Sequence, residues 1–205
     1  MAGVPVAPPG LECLLQVGSV RVKQTRDSMF QNYCTYDILS GDGQLLYRAE
    51  EERACCGPSF NIHIRDLQGY EVLNLLSRSV FFYWETQMQV LSVAGGMRSG
   101  YIEKNWTSMR SSFTLLTQQR EPVLKVRGPG WGAGFMSDAH FKIKLHKDNS
   151  PLGVITRVWK GMLSINDSFE IQFPLDLDVK LKALLVSCAV FIDFLYYERN
   201  RRQNN

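Results

Sequence analysis

Val179-Lys180-Leu181-Lys182-Ala183-Leu184-Leu185-Val186-Ser187-Cys188-Ala189-Val190-Phe191-Ile192-Asp193-Phe194-Leu195-Tyr196-Tyr197 contains almost no turn-forming residue and reads as a helix, placed at 179–198. Within it, Ala183 to Ile192 is a ten-residue run without a charge, bounded by Lys180 and Lys182 before and Asp193 after. A bilayer span needs about 20 predominantly apolar residues, and runs of roughly 10–14 more often belong to buried core helices. Counting across Asp193 to Tyr197 lengthens the stretch to fifteen residues, which is still short. A charge at the centre of a spanning helix also costs about 2.5–3.5 kcal/mol on insertion scales. The segment therefore reads as a helix apolar on every side and buried inside the domain that precedes it. Arg199, Arg201 and Arg202, in a basic polar tail at 199–205, suit the end of a helix dipole and the edge of a membrane equally.

What precedes it is β-rich. Short strand-like runs fall at 33–39, 45–49, 61–66, 71–75, 88–93, 112–116, 123–126, 140–145 and 152–159. Several alternate, as in Phe60-Asn61-Ile62-His63-Ile64-Arg65, where the apolar members fall on one face. Gly41-Asp42-Gly43, Asp66-Leu67-Gln68-Gly69, Gln118-Gln119-Arg120-Glu121-Pro122 and Lys147-Asp148-Asn149-Ser150-Pro151 each separate two such runs and mark four hairpins. Many short strands at this spacing form a barrel or a sandwich. The ten residues before Leu11 read as a disordered leader, and 11–198 as one domain.

Composition sets few limits. The chain has 205 residues, 45% hydrophobic and 21% charged, enough to bury a core without staples, and its net charge of +3 selects no partner. Five cysteines, Cys13, Cys34, Cys55, Cys56 and Cys188, with no secretory signal, read as free thiols in a reducing compartment. Cys55-Cys56 is a candidate lipidation site, with no second pair at zinc-ligand spacing. Ala2 excludes N-myristoylation. No nucleophile elbow, Walker loop or dinucleotide fingerprint occurs, and Gly128-Pro129-Gly130-Trp131-Gly132-Ala133-Gly134 reads as a loop, so covalent catalysis is set aside. Lys142, Lys144, Lys147, Arg157 and Lys160 form a candidate basic patch, although alternation in Phe141-Lys142-Ile143-Lys144-Leu145 is also how a half-buried strand reads.

Phe169-Glu170-Ile171-Gln172-Phe173-Pro174-Leu175-Asp176-Leu177-Asp178-Val179-Lys180, with Ile192-Asp193-Phe194 after it, resembles the C-terminal signature of phospholipid scramblases. Cys55-Cys56-Gly57-Pro58, Val123-Leu124-Lys125-Val126 with Gly128-Pro129, and the run from Gly153 through Trp159 to Gly161 resemble further parts of that family, in family order. This resemblance implies a mainly β, tubby-like closed barrel of about twelve strands around a central apolar C-terminal helix. It implies calcium-dependent, ATP-independent movement of phospholipids between leaflets, at the cytoplasmic face of the plasma membrane. The alternative is a non-transporting membrane-docking and protein-interaction module, with a cytoplasmic location. A phospholipid membrane, anionic lipids in particular, is the implied partner, with protein partners beside it; nucleic acid is not favoured.

The family's proposed calcium segment aligns with 165–176, so Asp167, Glu170, Asp176 and Asp178 are the candidate ligands, and Ca²⁺ the candidate cofactor. Ca²⁺ takes roughly 6–8 oxygen ligands. Ile165 stands at the first acidic position, and the segment lacks the glycine of an EF-hand loop, so any site is weak. Asp176 and Asp178 read alternatively as caps of the helix N-terminus. Where the family has a cysteine-rich run, this chain has Ser77-Arg78-Ser79-Val80-Phe81-Phe82-Tyr83-Trp84-Glu85. That leaves Cys55 and Cys56 as lipidation candidates. Arg78, Phe81, Phe82 and Trp84 are candidate membrane contacts, a buried strand being the other reading. The family's long Pro-rich N-terminal region is also missing here, which sets SH3- or WW-type partners aside.

Overall fold

The computed structural model describes residues 7–25, 34–52, 60–77, 87–92, 97–105, 110–130, 137–159 and 168–195. Among them a 3-10 turn, η1 (Glu12–Gln16), precedes twelve strands and one helix. The strands are β1 (Ser19–Thr25), β2 (Thr35–Ser40), β3 (Leu45–Glu51), β4 (Phe60–Arg65), β5 (Glu71–Ser77), β6 (Gln87–Ser92), β7 (Met97–Lys104), β8 (Arg110–Leu116), β9 (Pro122–Gly130), β10 (Ala139–Leu145), β11 (Pro151–Val158) and β12 (Ser168–Gln172). The helix is α1 (Val179–Asp193). Every pairing is antiparallel; consecutive strands pair with one another, and β1 pairs with β2 on one flank and with β12 on the other.

Each of the nine strand-like runs overlaps an observed strand. The four expected hairpins are β2–β3, β4–β5, β8–β9 and β10–β11. Three close in the same way. Ser40, Asp66 and Thr117 donate their N–H groups to the carbonyls of Gln44, Tyr70 and Glu121, and accept at their own carbonyls from Gly43, Gly69 and Arg120. Such a turn needs a left-handed residue at its fourth position, and Gly43 (φ +91°), Gly69 (φ +89°) and Arg120 (φ +64°) supply it. The loop expected at 128–134 is corrected in part, because β9 continues through Gly130. Gly128 permits this: the Phe141 ring of β10 occupies the space a Cβ would need.

Strand alternation then builds the core. Val20, Val22, Ile38, Ile62, Ile64, Leu124, Val126, Phe141, Ile143, Ile155 and Ile171 point inward and are buried. α1 fills the space they surround, packing against η1, β1, β6, β7 and β12. Thirteen of its fifteen residues are buried, on every side of the helix, as expected for one enclosed by the domain. Phe191 meets Phe113 of β8 edge to face at 6.0 Å. No helix among the described residues is long and apolar enough to cross a membrane. Residues 7–10, assigned to the leader, include Ala7, partly buried against the core, and Gly10, whose carbonyl accepts from the Tyr47 hydroxyl at 2.8 Å.

Candidate functional site

The chain from β12 into α1 carries most of the chemistry noted in the sequence. β12 ends at Gln172, and beyond Phe173 and Pro174 the turn through Leu175, Asp176 and Leu177 leads to Asp178, the N-cap. One carboxylate oxygen of Asp178 accepts from the N–H groups of Lys180 (2.9 Å) and Leu181 (3.3 Å). These are two donors that the helix itself cannot satisfy, and the negative charge meets the positive end of the dipole.

One turn further, Lys182 is fully buried. Its ammonium donates to the carbonyls of Leu175 (2.7 Å), Leu14 (2.9 Å) and Val17 (2.9 Å), with Leu15 at 3.5 Å and the Phe173 ring 5.5 Å away. The carbonyls replace hydration, so the charge is tolerated without a buried counter-ion. Burial lowers the Lys182 pKa from its ordinary value, and the negative charge of Asp176 partly opposes that shift. At the other end of α1, buried Asp193 accepts from the Tyr36 hydroxyl of β2 at 2.8 Å. Both ends of the apolar helix are thus pinned by polar contacts to distant parts of the chain.

The carboxylates named as calcium ligands are divided among other tasks. Glu170, on β12, receives Nε and Nη2 of Arg21 at 3.1 and 2.8 Å. Asp178 caps the helix, whereas Asp176 is exposed in the preceding turn. Asp167 lies outside the described residues. Among the described residues no three His, Cys, Asp or Glu side chains converge where they could hold a metal ion. Glu170, Asp176 and Asp178 therefore do not by themselves make the oxygen cage that calcium requires.

Cys55, Cys56, Arg78, Phe81, Phe82 and Trp84 also lie outside the described residues. Cys34 and Cys188 are buried, and the Cys13 thiol donates to the Tyr47 hydroxyl at 2.7 Å. His63 lies between Glu71 (3.0 Å) and Glu52 (3.6 Å), among the amides of Asn61 and Asn74, with no hydroxyl or thiol partner among the described residues. His140 bonds Thr156 at 3.1 Å.

The candidate basic patch is redrawn. Lys142 and Lys144 lie on the outer face of β10, whereas Arg157 is only 4% exposed and pairs in register with buried Ala139 and Phe169. An inward position on β11 takes Arg157 away from that patch. Lys160 lies outside the described residues. Lys125 and Arg127 of β9, absent from the sequence-derived patch, stand opposite Lys144 and Lys142. Their own alternation, Leu124-Lys125-Val126-Arg127, carried the signal; only the register shows what they face.

Comparison with known proteins adds an independent finding. A family model described as Scramblase matches residues 1–199. The chain is 33% identical to phospholipid scramblase 2 of Bos taurus, over 95% of this chain and 73% of that protein. It is also 33% identical to phospholipid scramblase 1 of Homo sapiens (96% and 68%) and 35% identical to that of Rattus norvegicus (94% and 63%). An X-ray structure of a protein from Arabidopsis thaliana shares the fold, with a TM-score of 0.55 at 13% identity over 94% of this chain and 99% of that one. The signature that opens at Phe169, the whole-length family match and these relatives agree, and the chain belongs to the scramblase family.

Proposed function

We propose that this protein is a phospholipid scramblase, a non-enzymatic catalyst of energy-independent lipid exchange between leaflets, acting from the cytoplasmic face of the plasma membrane. The observation that carries the reading is the family match along residues 1–199, beside relatives named phospholipid scramblases. The fold is read as a tubby-like closed barrel of twelve strands with α1 along its middle, supported by pairing of β1 with both β2 and β12. Calcium dependence belongs to the proposal as the family's expectation, and no step is routed through the ion.

One observation favours a second reading. A helix enclosed by strands, without the length to span, offers no polar groove across a bilayer. A membrane-docking and protein-interaction module would need none.

Reconstitution separates the two readings. Purified full-length chain is placed in vesicles carrying a leaflet-sensitive lipid probe, with and without calcium. Calcium-dependent exchange that is lost in folded Asp167→Asn and Asp176→Asn variants supports the scramblase reading. Vesicles that contain folded protein and exchange no lipid in either condition leave the docking module.

A further inference from the structure

Three outward-facing arginines elsewhere on the strands are matched by acids. Arg48 of β3 lies 3.8 Å from Asp37, Arg65 of β4 lies 3.5 Å from Glu50, and Arg21 of β1 is held by Glu170 at 2.8 Å. The β9–β10 pair differs from these three. Its register sets Lys142 against Arg127 and Lys144 against Lys125. All four alternate with buried Leu124, Val126, Phe141 and Ile143, so they share one outer face. Like charges directly opposite one another destabilise an antiparallel pair.

Neither flanking strand supplies a counter-charge. On β8, Arg127 faces Ser112 and Lys125 faces Thr114. On β11, Lys142 faces Val154 and Lys144 faces Pro151. Glu103, across Thr114 on β7, is engaged with Arg120 at 3.9 Å. The Asp148 carboxylate in the adjoining turn accepts from the Ser150 N–H and hydroxyl at 2.9 and 2.7 Å. The Lys125 ammonium reaches the neutral Asn149 side chain at 3.4 Å, and no carboxylate pairs with any of the four among the described residues.

We propose that Lys125, Arg127, Lys142 and Lys144 form the face through which this domain docks on an anionic bilayer, their charges meeting lipid phosphates and carboxylates. The proposal rests on the phospholipid reading above and adds to it the docking surface. Adjacent strands lie about 4.8 Å apart and alternate residues on one strand about 7 Å apart, so the quartet falls within roughly one Debye length and acts together on a charged surface. The outer face of a strand pair presents these charges side by side to a lipid surface. Each basic residue near such a surface strengthens binding about fivefold. The repulsion left standing between β9 and β10 is relieved when anions arrive.

Flotation of the full-length chain with phosphatidylcholine vesicles, with and without about 30% phosphatidylserine, tests this at about 0.15 M salt. The Arg127→Gln/Lys142→Gln variant is compared with Arg48→Gln/Arg65→Gln, which loses the same charge from the acid-matched face. Expected is binding that requires phosphatidylserine, weakened about tenfold or more in the first variant and less than twofold in the second, with both variants folded and the first melting no lower than wild type, since it loses a like-charge pair. Equal weakening of the two, or no weakening of the first, overturns the docking face. So does loss in the first variant of single-stranded oligonucleotide binding alone. Lipid exchange is measured on the same preparations. Exchange that persists while the docking result fails leaves the scramblase reading standing, whereas wild-type chain that neither floats nor exchanges lipid overturns both.

Discussion

The Lys182 ammonium lies 2.9 Å from the carbonyl oxygen of Leu14, a residue 168 positions earlier in the chain. The same ammonium holds Val17 and Leu175, so one charge joins η1, the entry to β1 and the turn leaving β12. Lys182→Met keeps the volume of the stem but strands these carbonyls without a donor. A buried acceptor left unsatisfied costs about 1–3 kcal/mol. Lys182→Met is expected to lose about 3 kcal/mol, read from the urea midpoint. A variant as stable as wild type would show that water reaches the carbonyls and that the cage is not a clamp.

At the opposite end of α1 the Tyr36 hydroxyl donates to Asp193, 2.8 Å away and only 1% exposed. Taking the donor from a buried acceptor costs about 1–3 kcal/mol. Tyr36→Phe should therefore destabilise by about 2 kcal/mol at neutral pH. Asp193→Asn in the Tyr36→Phe background should cost less than Asp193→Asn alone, since the two groups share one interaction. Additive losses in this double-mutant cycle would deny the coupling.

Arg120 occupies the left-handed position that glycine fills in two sister hairpins. That conformation costs an L-residue about 1–2 kcal/mol. Arg120 recovers part of it by stacking its guanidinium 4.2 Å above the Tyr101 ring, worth about 0.5–1 kcal/mol at such a site. Arg120→Gly should therefore change stability by less than about 1 kcal/mol, while Arg120→Val, which has neither freedom nor stacking, should lose about 2 kcal/mol. Thermal melts of the two variants give the order. A valine variant at least as stable as the glycine one would contradict it.

The hairpins were legible because their turn residues and alternating flanks are local. β1 was not, since Ser19-Val20-Arg21-Val22-Lys23-Gln24-Thr25 places Gln24 at an inward position where the pattern asks for an apolar side chain. β7 carries Gly100 at its centre, where a Cβ would crowd the Leu116 carbonyl and come within 3.0 Å of Leu184 on α1. A glycine weakens a strand reading, and only the packed helix explains its presence. β12 is five residues long, and its partner β1 is far away in sequence. Distance in sequence also hid what the charged residues do. Lys182 read as a flank of the apolar run, because its carbonyl partners come largely from before β1. Glu170 read as a candidate calcium ligand, because Arg21 lies 149 residues upstream. Asp178, whose partners are the nearby N–H groups of Lys180 and Leu181, could be read from the sequence as a cap as well as a calcium ligand.

Cys188 gives the helix a pH signature. Its thiol is wholly enclosed, and burial raises its pKa above the ordinary value. In the unfolded chain the thiol ionises above about pH 8.5, while in the folded chain it stays neutral. Its contribution to stability is therefore fully present below about pH 8.5 and is lost as pH rises beyond it. Tyr47, raised chiefly by burial, acts in the same direction from about pH 10. Lys182, whose pKa is lowered, acts in the opposite sense, because in the window below about 10.4 the unfolded state binds more protons. Comparing wild type with Cys188→Ala cancels the groups they share. The advantage of wild type should shrink by about 2 kcal/mol between pH 7 and pH 10, since each unit above the thiol value is worth about 1.4 kcal/mol. Urea midpoints at pH 7, 8.5 and 10 measure it. Parallel profiles for the two proteins would mean that Cys188 ionises in the folded state as freely as in the unfolded one, and that water reaches the middle of α1.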